Sequence, residues 1–166
     1  MPADNWSEAF LDQAKSDFSV MEMLNESDFP DCHWFHYLQM TTEKLGKAML
    51  SASNSGRPPK FTHAALVRSL QLLKTNPRVR ADMNIGAASE FKAYIDSLLD
   101  LARWIERLAP GTAGHGGANP EYPWADKKTG RPIVPADFSF SQCSARYAVQ
   151  LIKLDGLLRS LLNNGF

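Results

Sequence analysis

The sequence predicts an all-α fold, an antiparallel bundle of four long helices plus one shorter helix. Apolar residues recur with a period of about 3.6 in every long segment, and no segment alternates apolar and polar residues as a strand does. A length of 166 residues suits one domain, residues 1–166. A chain of this length buries roughly 70% of its unfolded surface, so it needs no disulfide or metal for stability.

Charge and cysteine content narrow the classes of protein that fit. Lys and Arg number 18, as do Asp and Glu, which argues against coating of nucleic acid by bulk charge. Two cysteines, Cys32 and Cys143, are too few for a disulfide framework and indicate a reducing compartment. The chain has no apolar run of membrane-spanning length, and its first residues lack the pattern of a signal peptide. We therefore expect a cytoplasmic protein without membrane contact.

The first two helices are predicted over residues 6–24 and 30–51. Asn5 is a suitable cap for the first helix, and Pro30 suits the first turn of the second because the amide proton it lacks would have no intrahelical partner there. Asp17 falls inside the apolar stripe of the first helix, which is an unusual position for a carboxylate. The two segments therefore predict long helices whose apolar sides face a common core.

A loop rich in serine, glycine and proline, residues 53–60, separates these helices from a shorter third one. Thr62 is a suitable cap for that helix, and Pro77 follows its end. Five basic residues cluster around this helix and its exit: Lys60, Arg68, Lys74, Arg78 and Arg80. They form either a positive strip for RNA phosphates or ordinary surface charge, and both interpretations stay open here.

A fourth helix is predicted over residues 88–108 and a last one over residues 138–162, with a long Gly/Pro-rich loop at 110–136 between them. The last helix is predicted to bury Cys143 among its apolar residues. Trp104 widens the apolar arc of the fourth helix, which favours either a homodimer interface or cover by the long loop.

Three segments carry motifs that occur together in one known family. They are Ala14–Phe18 (AKSDF), Trp34–Leu50 (WFHYLQMTTEKLGKAML) and Thr62–His63 after a proline-rich loop. Tyr122–Pro123 before the last helix resembles a further family feature. In this order and spacing, which covers residues 7–162, the chain resembles the HEPN domain family (higher eukaryotes and prokaryotes nucleotide-binding).

The resemblance implies a helical bundle that pairs as a homodimer and whose function concerns a nucleotide or RNA. HEPN proteins include metal-independent ribonucleases, partners of minimal nucleotidyltransferases and non-catalytic members, so membership does not fix the activity. We expect a non-catalytic binding module for a nucleotide or RNA ligand, with a minimal nucleotidyltransferase as its partner in a toxin–antitoxin or defence setting. A metal-independent endoribonuclease and a purely structural interaction domain are the two alternatives.

Arg57 and His63 are the catalytic candidates for the endoribonuclease alternative. Ribonuclease members of the family carry an arginine followed after a few residues by a histidine, and five residues separate this pair. Such a histidine exchanges a proton with the ribose hydroxyl or the leaving oxygen, and the arginine stabilises charge on the phosphate. Pro58 replaces the polar residue that usually follows the arginine. The other interpretation makes His63 a structural first-turn residue and Arg57 a solvated loop residue.

The second helix carries the nucleotide-binding candidates His36, Glu43, Lys44 and Lys47, on the side away from its apolar stripe. A lysine ammonium is a mobile point charge well suited to a phosphate. The alternative is a solvated face on which Glu43 and Lys47 form an (i, i+4) pair and His36 bonds Asp17 or a backbone carbonyl.

Cys32, His33 and His36 are residue types that bind metals, and the two histidines lie one helical turn apart. A site needs at least one further ligand, and no motif with metal-binding spacing supplies it. We therefore expect neither a metal nor a cofactor.

Overall fold

The computed structural model describes residues 5–55, 57–59, 64–110 and 118–166, and helices dominate these residues. The helices are α1 (Trp6–Asn25), α2 (Asp31–Ser53), α3 (Ala65–Leu73), α4 (Pro77–Asp82), α5 (Ala88–Asp96), α6 (Leu99–Glu106), α7 (Phe140–Ser144) and α8 (Ala148–Asn164). Short 3₁₀ turns cover Pro135–Asp137 and Ala145–Tyr147, and two short strands are β1 (Trp124–Ala125) and β2 (Pro132–Ile133). The all-α prediction is confirmed as a class.

No helix in the described part of the chain is long and apolar enough to cross a membrane.

Helices α1 and α2 form an antiparallel pair, in which α2 lies at the centre of the fold and α1 covers one side of it. The Asn5 side chain caps α1 by accepting a hydrogen bond from the Ser7 amide at 3.1 Å. The Ser7 hydroxyl donates to the carbonyl of Ala48 at 2.9 Å, which joins the start of α1 to the end of α2. The predicted starts of both helices agree with the structure to within one residue. Asn5 caps α1 as predicted, whereas Pro30 precedes α2 and makes no side-chain cap bond.

Helix α2 is surrounded by the rest of the molecule. None of its residues between 34 and 50 is exposed, and Phe35, Leu38 and Leu45 are among the most deeply buried side chains. Helix α3 crosses α2 at Gly46, where an added Cβ atom would lie 2.7 Å from the carbonyl carbon of Ala65. Backbone therefore meets backbone at this crossing, which leaves room for glycine alone.

The continuous helix predicted over residues 88–108 is wrong, because the chain forms two helices, α5 and α6, with a turn between them. At the turn the Ser97 hydroxyl donates to the Tyr94 carbonyl at 2.6 Å, and the Leu98 amide bonds the Ile95 carbonyl at 3.0 Å in a 3₁₀ pattern. A serine that bonds a nearby carbonyl competes with the helix ladder. Leu98 stays buried through the turn, so the apolar spacing does not register the break.

The last predicted helix, 138–162, is also interrupted. Ser139 caps the short α7 by accepting a bond from the Gln142 amide at 3.3 Å. The Asp31 carboxylate, at the start of α2, accepts a second bond from the Ser141 amide at 2.8 Å. Cys143 is exposed on α7, so its predicted burial is wrong, and the main helix α8 begins only at residue 148.

The described part of the predicted loop at 110–136 holds a small β-hairpin. Strands β1 and β2 are antiparallel, with Trp124 opposite Ile133. The Trp124 ring packs against Phe138, with ring centroids 5.1 Å apart. Trp104 packs edge-on against Phe35, with centroids 5.5 Å apart, so contacts inside the chain account for much of the wide apolar arc.

Candidate functional site

The nucleotide-binding candidates lie together on one half-buried arc of α2. His36, Glu43, Lys44 and Lys47 are all partly buried. Their side chains are recessed, with 25% of His36, 13% of Glu43 and 23% of Lys47 exposed. The arc is therefore a recessed polar strip, which we call the α2 strip, and a freely solvated face is the wrong description of it.

Glu43 is the centre of the α2 strip. One carboxylate oxygen, Oε1, accepts a hydrogen bond from Lys47 Nζ at 2.5 Å, and the other, Oε2, accepts one from Gln39 Nε2 at 2.8 Å. Burial alone would raise the pKa of Glu43, but the bond and charge of Lys47, helped by Gln39 and Lys44, lower it overall. Glu43 is therefore a carboxylate at neutral pH, held from both sides.

The two lysines of the α2 strip have different surroundings. Lys47 is paired with Glu43, and its Nζ lies 5.8 Å from the centroid of the Phe10 ring on α1. Lys44 Nζ instead donates to the sulfur of Met40 at 3.7 Å. A thioether is a weak acceptor, so the Lys44 ammonium keeps most of its capacity to bind an anion.

His36 borders the α2 strip on the side of the loop before the hairpin. Its Nδ1 lies 4.0 Å from Oε2 of Glu121. The Asn119 side chain shapes this loop by accepting bonds from the amides of Glu121 at 2.8 Å and Tyr122 at 3.4 Å. The Tyr122 hydroxyl also bonds Glu121, and this bond together with the charge of Glu121 raises the pKa of Tyr122. A chain of polar contacts thus links α2 to the hairpin.

Asp17 does not take part in the α2 strip. It is nine-tenths buried in α1, and its Oδ1 accepts a bond from Gln13 Nε2 at 2.9 Å. The alternative in which His36 bonds Asp17 is therefore wrong. The residue that sequence reasoning missed is Gln39, although its (i, i+4) spacing to Glu43 was a usable signal.

The catalytic candidates can be placed only in part. Arg57 is exposed in the turn after α2, where its amide donates to the carbonyl of Asn54 at 3.1 Å. His63 lies outside the described residues. The pairing of Arg57 with His63 therefore stays a prediction.

Two of the residues whose types suggested a metal site, Cys32 and His33, lie on different sides of α2. Cys32 is buried and His33 is exposed on the same turn of α2. Burial, and after it the charge of Asp31, raises the pKa of the Cys32 thiol. Within the described ranges, no group of three or more His, Cys, Asp or Glu residues is placed to hold a metal ion.

The predicted basic strip around α3 is partly occupied by contacts within the chain. Lys74 forms an ion pair with Asp96. Arg78 donates to the backbone carbonyl of Asn164 at 2.6 Å, which ties α4 to the end of α8. Arg68 is exposed, and Lys60 lies outside the described residues. Two of the five basic residues around α3, Lys74 and Arg78, therefore connect helices within the chain.

A groove follows the line between α1 and α8. It contains a cavity of about 330 Å³ lined by Phe29, Trp34 and Leu151, among others, and a second one of about 270 Å³ that shares Trp34 and Leu151. Ile152, 75% exposed, lines the second cavity. Glu22 and Arg159 form an ion pair across the groove at 2.6 Å. The lining mixes apolar side chains with polar ones such as Asn25, and an exposed apolar residue such as Ile152 in a groove is a feature of surfaces that bind another molecule.

Comparisons of the chain with protein-family models, with curated proteins and with solved structures found no match.

Proposed function

We propose that the protein is a non-catalytic, HEPN-like binding module for a nucleotide or RNA. In this proposal the helices form the antiparallel HEPN bundle, two copies pair as a homodimer, and the module accompanies a minimal nucleotidyltransferase in the cytoplasm, in a toxin–antitoxin or defence setting. The observation that supports it is the recessed α2 strip, in which His36, Glu43, Lys44 and Lys47 lie together.

The α2 strip offers complementary groups to a nucleotide. Lys44 provides a positive charge with only a thioether contact, and His36 provides a ring nitrogen at the edge of the strip. Glu43 is anionic, and each of its oxygens has a second lone pair that can accept a bond from a ribose hydroxyl or a base amino group. Polar groups that are fixed before binding lose less conformational entropy when a ligand binds.

Ligand-dependent thermal unfolding tests this function. The wild-type protein is expected to unfold at a higher temperature with AMP, ATP or an oligouridine, by about 5 to 10 °C at about 100 times the dissociation constant. Lys44→Gln should abolish that increase, because it removes the cation with the fewest contacts in the strip. Lys92→Gln, an exposed lysine on α5, is the matched control and should keep it.

Two results would contradict the proposal. An equal increase in the wild type and in Lys44→Gln would place the ligand elsewhere. Cleavage of RNA in excess EDTA, lost in Arg57→Ala and His63→Ala, would replace a binding module by the endoribonuclease alternative.

A structural interaction domain is the second candidate, and the groove between α1 and α8 favours it. Glu22→Arg would reverse the charge of one residue in the groove and would break the ion pair between Glu22 and Arg159. If this variant loses a stable protein complex, and nucleotides leave the unfolding temperature of the wild type unchanged, the interaction domain is the better description.

A further inference from the structure

The hairpin between β1 and β2 ends in a loop that its own hydrogen bonds hold in place. Oδ1 of Asp126 accepts bonds from the amide of Lys128 at 3.0 Å, the amide of Thr129 at 2.7 Å and the hydroxyl of Thr129 at 2.9 Å. Gly130 takes the left-handed backbone conformation, with φ of 68°, and its amide bonds the Asp126 carbonyl at 2.8 Å. The loop is therefore a defined turn.

This loop displays three cations. Lys127, Lys128 and Arg131 are exposed, and none of them forms an ion pair with a carboxylate of the described residues. The acidic residue of the loop, Asp126, points one carboxylate oxygen at the loop amides. Within six residues of a chain with no net charge, the loop therefore carries a local positive excess.

The hairpin is attached firmly to the fold, and an exposed aromatic residue precedes it in the chain. Trp124, at the base of the hairpin, packs against Phe138 and Phe140, with ring centroids 5.1 and 6.2 Å away. Tyr122, two residues before β1, is 54% exposed. Through Glu121, Tyr122 connects with His36 on the α2 strip. The segment just before β1 therefore connects the α2 strip with the hairpin.

We propose that Lys127, Lys128 and Arg131 bind the phosphate backbone of a single-stranded RNA and that Tyr122 stacks on one of its bases. The inference rests on the proposed function and narrows it, because a ligand that reaches both the hairpin and the α2 strip is an oligonucleotide. Closely spaced cations that form no ion pair with the described residues suit successive phosphates, and an aromatic ring suits the bases of an unpaired strand.

Other polyanions fit the surface less well. An acidic peptide would bind the cations but would gain little from an exposed tyrosine ring. Any base of a single-stranded nucleic acid, by contrast, can stack on that ring. A membrane surface favours apolar side chains beside the cations, and the loop sequence DKKTGR has none. The exposed aromatic ring two residues before the hairpin therefore favours single-stranded RNA.

Fluorescence anisotropy with a labelled oligouridine of about 12 nucleotides tests the inference. The triple variant Lys127→Gln, Lys128→Gln and Arg131→Gln should bind roughly 10-fold or more weakly. The slope of log K against log salt, measured between about 50 and 200 mM NaCl, should fall by about 2, because each lost contact with single-stranded RNA removes about 0.7. Tyr122→Leu should also weaken binding.

A control triple with the same change of charge separates this loop from bulk charge. Lys15→Gln, Lys92→Gln and Arg107→Gln remove three exposed cations from other parts of the chain and should alter affinity by less than about twofold. Equal losses in the two triples would overturn the inference. Absence of RNA binding by the wild type, or binding of phosphatidylserine vesicles in its place, would overturn it as well.

The two proposals fail in different ways. If AMP stabilises the wild type and not Lys44→Gln, while the hairpin triple binds RNA normally, the inference about the hairpin is wrong and the proposed function stands. If the hairpin triple loses RNA affinity while Lys44→Gln changes neither RNA binding nor thermal stabilisation by AMP or ATP, the hairpin is the RNA-binding surface and the α2 strip is not a nucleotide site.

Discussion

The α2 strip and the hairpin loop place basic residues in opposite surroundings. In the strip, Lys47 bonds Glu43, and the pair lies on a helix that is covered over most of its surface. In the loop, Lys127 and Lys128 are exposed, and Asp126 bonds backbone amides instead of a cation. The paired charges of the strip, Glu43 and Lys47, therefore contribute to the fold, whereas the exposed cations of the loop are available to a ligand. Three substitutions test this difference.

The largest effect is expected where α2 meets α3. Gly46→Ala places a Cβ atom 2.7 Å from backbone atoms of Ala65, so the two helices must separate. Overpacking of this kind destabilises a protein by about 1 to 3 kcal/mol. Because the contact is with backbone atoms, Gly46→Ala should lower the free energy of unfolding by about 3 kcal/mol. Urea unfolding measures the change.

The control for this substitution is Gly86→Ala, at a glycine where an added Cβ atom meets nothing within 4 Å. Its free energy of unfolding should stay within about 0.5 kcal/mol of the wild type. Equal stability of Gly46→Ala and Gly86→Ala would mean that α3 does not pack closely against α2. The α2 strip, which lies on the same helix, would then not belong to the packed centre of the fold.

The second effect concerns the charge inside the strip. Glu43→Gln removes the carboxylate that bonds Lys47 and Gln39 and should cost about 1 to 2 kcal/mol at neutral pH. The folded state lowers the pKa of Glu43, so the carboxylate contributes stability above its unfolded pKa and loses it as pH falls through the folded value. The difference between wild type and variant should therefore shrink in acid.

Urea unfolding near pH 7 and near pH 3 measures this difference. Glu26→Gln, at an exposed glutamate after α1, is the control and should change stability by less than about 0.5 kcal/mol at either pH. A Glu43→Gln variant as stable as the wild type at neutral pH would show that the strip pair is no more than a weak surface pair.

The helices were predictable where their ends depend on local sequence. Asn5 caps α1 and Pro30 precedes α2, and both starts agree with the structure. The break at Ser97 escaped prediction because it leaves the apolar spacing intact, with Ile95, Leu98 and Leu101 all buried. The start of α7 depends in part on Asp31, a residue distant in sequence that accepts a bond from the Ser141 amide across a tertiary contact. Periodicity therefore reports burial better than it reports helix continuity.

In the candidate site, too, local contacts were predictable from the sequence and tertiary contacts were not. The pair of Glu43 and Lys47 was predictable because both residues lie one turn apart on one helix. The contact of His36 with Glu121 was not, because folding alone brings those residues together. The hairpin escaped because its two-residue strands are too short to alternate, although Gly130 in a polar loop is a recognised turn signal.

The smallest effect is expected in the hairpin loop. Asp126→Ala removes the acceptor for the Lys128 and Thr129 amides, so hydrogen exchange at these two amides should become faster while the unfolding temperature stays unchanged. Bonds from Thr129 and Lys128 lower the pKa of Asp126, so the wild-type loop should keep its protection until pH falls through that lowered value. NMR-detected exchange measures both effects, with Asp137→Ala as a control at an exposed aspartate outside the loop. A clear fall in the unfolding temperature of Asp126→Ala would show that the loop, like the strip, helps to hold the fold together, and the contrast between the two regions would no longer hold.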